Sequence, residues 1–125
     1  MSDSESKKKQ IIIRIFNNKL MEFVKEIINI YPTNKDFKSM RTQLRMVINN
    51  SETLPVEKFK KYVAVKYRTY IDERNEQFFL GLDLSGTPFE SFNYLKEMWE
   101  KTTPTTKNAM WKYIELLTKL CDNYQ

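Results

Sequence analysis

The chain has 125 residues and 15.1 kDa, with a formal net charge of +5. That is enough for one domain and one real core without cross-links, and too little for two ordinary domains. Hydrophobic residues at 41% argue against wholesale disorder, the absence of histidine removes the commonest general base and metal ligand, and the lone Cys121 forbids an intrachain disulfide or a cysteine-based zinc site.

Residues 1–9, with Lys7-Lys8-Lys9, are expected to be a disordered charged tail or to fray into the first helix, and residues 10–125 to form a single helical domain. From Gln10 the apolar spacing is that of a helix: Ile13, Phe16, Leu20, Phe23, Val24, Ile27 and Ile30 recur at steps of three and four until Pro32. A second helix is expected from Thr33 or Asn34, where Thr33-Asn34-Lys35-Asp36 resembles a capping box, with Phe37, Met40, Leu44, Val47 and Ile48 on its stripe. Asn49-Asn50-Ser51 closes it and also fits a glycosylation acceptor.

A third helix starts near Pro55 and carries Val56, Phe59, Val63, Tyr67 and Tyr70, although Tyr62 to Tyr70 is dense enough in β-branched and aromatic residues to allow a strand. Asp72 to Gln77 is charged, and Phe78-Phe79-Leu80 either ends that helix or forms a separate turn. Gly81 to Thr87 is the evident loop. Thr87-Pro88-Phe89-Glu90 then marks a helix start, with Phe89, Phe92, Leu95, Met98 and Trp99 as its apolar face. Thr102-Thr103-Pro104 separates it from a last helix burying Met110, Tyr113, Ile114, Leu117, Leu120, Cys121 and Tyr124. The expectation is an all-α, single compact domain of about five helices, with Leu44 and Leu117 in one core.

Catalytic templates fail one by one. Ser-His-Asp and Cys-His arrangements need histidine. Gly81 and Gly86 have the glycine spacing of a phosphate-binding loop, but Thr87-Pro88 stands where Lys-Ser/Thr is required. Asp72, Glu73 and Glu76, with Asp83, form the best carboxylate cluster, and a solvated helix end explains it better than a metal. Cys121 lies on an apolar stripe as a small hydrophobe. Trp99 is expected in the core, and Trp111 either at its edge or in an exposed contact patch. No enzyme activity and no cofactor are expected. No apolar run reaches membrane length and residues 1–10 lack a signal-peptide core, which points to a cytoplasmic protein with no membrane partner.

Charge is uneven. Residues 35–68 carry 9 basic and 3 acidic groups, net +6, whereas residues 69–125 carry 6 basic and 9 acidic, net −3. On the second helix Arg41, Arg45, Lys38 and Lys35 form a basic band beside the apolar stripe, and on the third Lys61 and Arg68 share an outward face with Lys58 nearby. Lys38, Arg41, Arg45, Lys58, Lys61 and Arg68 are the candidate polyanion-binding set, with nucleic acid as the candidate ligand; the alternative is a solvated surface that balances the acidic C-terminal half.

Phe78-Phe79-Leu80, Leu95-Lys96-Glu97-Met98-Trp99 and Met110-Trp111-Lys112-Tyr113-Ile114-Glu115-Leu116-Leu117 together resemble small helical proteins, mostly uncharacterised, of the nucleocytoplasmic large DNA viruses. The 16 Lys, 10 Asn and 10 Ile, all with AT-rich codons, fit such a genome and many protist genomes equally. The resemblance implies a viral protein of the host cytoplasm or the virion and carries over no functional residue. The functional expectation is a non-catalytic protein–protein interaction or virion-structural module, its partner and oligomeric state unspecified. The alternative is a nucleic-acid-binding accessory protein that uses the basic second and third helices.

Overall fold

Pro32 folds the first fifty residues into a helical hairpin. In the computed structural model, which describes residues 3–124, α1 (Asp3–Ile30) runs to the proline and α2 (Lys35–Asn50) returns beside it. The helix begins at Asp3 rather than at Gln10 where its apolar period starts, so Ser4 to Lys9 form an exposed helical extension; Met1 and Ser2 lie outside the described residues. At the turn Asn34, not Thr33, is the cap: its Oδ1 accepts from the Asp36 and Phe37 backbone N–H groups at 2.9 and 3.2 Å. Asn34→Ala should therefore cost about 1 kcal/mol, read from the urea unfolding midpoint, whereas Thr33→Ala should leave it nearly unchanged.

The rest of the chain is helical too, in shorter pieces than the sequence suggests. Seven α-helical segments occur among the described residues, with no strand, so the all-α class holds while the count of five does not. After α3 (Leu54–Phe59) the chain widens into a π-helical stretch, Lys60–Val65, and breaks at Tyr67 before α4 (Arg68–Asp72). A π turn takes in one residue more than an α turn, which rephases everything after it. Ile71 is consequently buried, and Tyr70, expected on the stripe, is exposed.

α4 ends with Arg74 at φ +50°, where the Arg74 N–H bonds the Ile71 carbonyl and the Asn75 N–H bonds that of Tyr70. This is a Schellman cap built on arginine where glycine is usual. α5 (Gln77–Leu80) follows as a separate short helix.

The helix expected from Thr87 is instead three pieces: a 3₁₀ segment Glu90–Tyr94, α6 (Leu95–Met98), and a 3₁₀ turn Trp99–Lys101. The reason is visible in the spacing, since Phe89, Phe92, Leu95 and Met98 are three apart throughout, which is the 3₁₀ repeat. α7 (Pro104–Asn123) begins as its sequence predicts, with Pro104 at the first position and Thr103 Oγ1 accepting from the Thr106 N–H.

α1 is the central element, packed on α2 along one flank and α7 along another. Phe16, Leu20, Phe23 and Ile27 meet Phe37, Met40 and Leu44 of α2 and Ile114, Leu117 and Cys121 of α7 in one core. Ile30, expected on the stripe, is partly exposed at the turn. Rings link the layers: Phe16 meets Phe59 edge-on at 5.4 Å, and Phe23 stacks on Tyr113 at 5.0 Å. Phe78, Phe79, Trp99 and Trp111 form a second aromatic cluster against α7, so Trp111 is a core residue rather than a contact patch. Leu82 and Leu84, in the loop whose turn uses Gly86 at φ +80°, also point inward and are buried.

Candidate binding site on the seam of the first two helices

The six cations singled out in the sequence divide into three environments. Arg68 is joined to Asp122 of α7 in an ion pair that holds the carboxyl of Asp122 below its usual range. Lys58 and Lys61 both approach the Tyr62 ring, their ammonium groups 5.7 and 5.3 Å from its centroid. An outward face shared by Lys61 and Arg68, with Lys58 nearby, assumes one continuous α-helix. The π stretch and the break at Tyr67 remove that assumption, and Asp122 neutralises the last member.

Lys38, Arg41 and Arg45 are different. They line a groove of about 380 Å³ together with Thr42 and with Ile28 of α1. A second groove of about 260 Å³ continues past Arg45 to Ile48 and Asn49 of α2, facing Asn17, Asn18 and Met21 of α1. Arg45 lines both, so the two grooves adjoin along the α1–α2 seam as a trough with Arg45 between its halves. Its lining is apolar at depth, with Met21, Ile28 and Ile48 half-buried, and cationic at the rim. Lys25, exposed and about 40° from Met21 around α1, borders that rim, and Arg14, exposed and about 20° from Met21, lies beyond Asn17, past the end of the groove. Asn17 closes the far end. Its Nδ2 donates to the Glu52 carbonyl at 3.0 Å, while its buried Oδ1 has no hydrogen-bond partner.

Four ion pairs lie elsewhere among the described residues: Lys19–Glu22, Arg68–Asp122, Arg74–Glu115 and Lys107–Glu76. The Arg74 guanidinium, poised by its αL backbone, donates to Glu115 at 2.9 and 2.7 Å and to Asn108 at 2.7 Å, which lowers the Glu115 pKa. Glu76 accepts from Lys107 at 3.1 Å and from Trp99 Nε1 at 3.0 Å, and Lys107 also sits over the Trp99 ring. Those contacts commit Glu76, the centre of the carboxylate cluster, to structure, and its pKa is lowered chiefly by Lys107. Among the described residues no three His, Cys, Asp or Glu side chains converge as metal ligands. None of Arg14, Lys25, Lys38, Arg41 and Arg45 is in an ion pair among the described residues.

The apolar cavity inside the core, lined by Phe59, Val63, Phe78, Leu82 and Ile114 among others, holds about 10 Å³, at most a water's worth and far below ligand size. No helix among the described residues is long and apolar enough to cross a membrane. Searches of family models, curated proteins and solved structures return no match to the chain.

Proposed function

We propose that the protein is a non-catalytic binding module whose working surface is the α1–α2 seam and whose partner is anionic there. One observation carries this: the arginines of the C-terminal half are matched to carboxylates, whereas Lys38, Arg41 and Arg45 converge on one trough with no carboxylate partner among the described residues. Like charges held together on a folded surface repel one another, and a partner of opposite sign relieves that repulsion while gaining orientation from it.

An immobilised polyanion, heparin, tests where the surface lies. The wild-type protein is expected to be retained, and the Arg41→Ala/Arg45→Ala pair to elute at clearly lower salt than the Lys58→Ala/Lys61→Ala pair, although each loses two charges. Equal elution of the two pairs would mean that only net charge is being read and would end the assignment. Nucleic acid is the second reading, favoured by the fixed spacing of the α2 cations, which can meet successive phosphates. It predicts steep salt dependence with little preference for sequence.

A further inference from the structure

We infer that the α1–α2 trough is a docking site for an acidic amphipathic helix, which would lie along the seam as a third helix of that layer; this rests on the binding surface proposed above. The trough has the length for it. From Lys38 to Asn49 along α2 is eleven residues, about 16 Å at 1.5 Å per residue, or three turns of an occupant helix.

Its cross-section is also that of a helix site. Met21 and Ile28, seven residues and about 10 Å apart along α1, supply an apolar floor together with Ile48, and i and i+7 anchors of an occupant match the first two. Lys38, Arg41 and Arg45 stand on the α2 rim, so that flank of an occupant faces three cations, none of them in an ion pair among the described residues, and the exposed Lys25 borders the α1 side. Charge complementarity therefore asks for Glu or Asp flanking an apolar stripe.

Nucleic acid fits the same place less well. A phosphodiester gains nothing from an apolar floor, and no aromatic ring lines the trough to stack an unpaired base. A second copy of this basic chain would bring like charge to like charge unless it docked through its acidic C-terminal half. An acidic amphipathic helix satisfies both floor and rim.

The test uses the full-length protein and three fluorescein-labelled probes in anisotropy titrations at 50 and 150 mM salt. The first is a 14-residue Leu/Glu peptide with leucines at i, i+3, i+4, i+7, i+8 and i+11. The second is the same composition with that period scrambled, and the third a 16-nucleotide oligothymidylate. The first is expected to bind at least tenfold tighter than either of the others. Arg41→Ala/Arg45→Ala and, separately, Met21→Gln should each weaken it about tenfold, while Lys58→Ala/Lys61→Ala should leave it within twofold.

All of these side chains are exposed or half-buried, and thermal melts establish that each variant is folded. If the scrambled peptide or the oligonucleotide binds as tightly as the first probe, the seam recognises charge alone and the helix assignment falls while the anionic surface stands. If wild-type protein binds none of the three at 50 mM salt, the anionic surface falls as well. Sedimentation of the free protein as a concentration-dependent oligomer, dissolved by Arg41→Ala/Arg45→Ala, would assign the trough to a second copy and overturn the peptide.

Discussion

Trp99→Ala is expected to remove about 3–5 kcal/mol of folding stability, a fifth or more of the total in a domain whose whole margin is of order 5–15 kcal/mol. The ring is buried and stacks on Phe79 at 4.0 Å, with Trp111 edge-on at 6.3 Å. Its Nε1 donates to Glu76 and its face is covered by the Lys107 ammonium at 4.8 Å, so truncation also leaves that carboxylate with one donor fewer. The elements joined by this cluster are short. α5 and α6 have four residues each, well below the length at which a helix holds itself, and their persistence depends on tertiary packing.

Urea unfolding followed by circular dichroism measures the loss, and Trp111 fluorescence reports the same transition from inside the cluster. Trp99→Phe keeps a stacked ring and should cost well under half as much. Leu44→Ala and Leu117→Ala, both fully buried on long helices, should cost about 2–5 kcal/mol with both probes coincident. A Trp99→Ala loss below about 1 kcal/mol would mean that residues 68–101 do not belong to the cooperative unit. Fluorescence that moves ahead of circular dichroism would place that stretch in a less stable unit of its own.

The long helices were legible because each has a signal that does not depend on neighbours: the 3.6-residue period, Pro32, and Thr103-Pro104. The middle of the chain was not, for three separate reasons. Phe89, Phe92, Leu95 and Met98, with Trp99 beside them, pass for an α stripe, but a strict step of three drifts about 60° per step around an α-helix and stays aligned only on a 3₁₀ helix. The π stretch at Lys60–Val65 leaves no mark in composition, yet it determines which of Tyr70 and Ile71 is inside. Leu82 and Leu84 sit among Gly, Asp and Ser, and turn chemistry masked an inward-pointing pair.

The candidate site divides along the same line. Lys38, Arg41 and Arg45 follow from the phase of one regular helix, and the structure places them together. Asn17, Met21 and Ile28 were not legible as their counterparts, because the sequence of α1 does not say which flank α2 will occupy. Arg68's pairing was not legible because Asp122, 54 residues later, meets it only in the tertiary structure.

Raising the pH from 8 to 10 should destabilise the wild-type protein by roughly 1–2 kcal/mol more than Cys121→Ala, and the difference should approach about 4 kcal/mol near pH 12. Cys121 is fully buried on α7 with its Sγ 3.8 Å from the Val56 carbonyl of α3, and burial pushes its pKa up from 9 to about 12. Lys60 and Arg68 favour the thiolate but do not offset that burial. The sign follows from which state holds the proton. Below pH 8 both folded and unfolded chains carry the thiol and it contributes no slope. Between about 9 and about 12 the unfolded chain has released its proton and the folded one has not, so stability falls as pH rises through that window.

Tyr113, raised by burial and by its hydrogen bond to Glu22 to about 12, acts in the same direction only above its ordinary value near 10. The interval from pH 8 to 10 therefore isolates the cysteine. Urea midpoints for wild type and Cys121→Ala across that interval make the comparison, the alanine protein being less stable at neutral pH by the volume it lacks and showing the shallower slope. Parallel slopes would mean that Cys121 meets solvent in the native state, which requires the last turns of α7 to open away from Val56. Thiol alkylation at pH 8 reads the same contact independently. It should be slow in native buffer and accelerate in proportion to the unfolded population as urea is added, because the thiolate that reacts exists only after α7 has left α3.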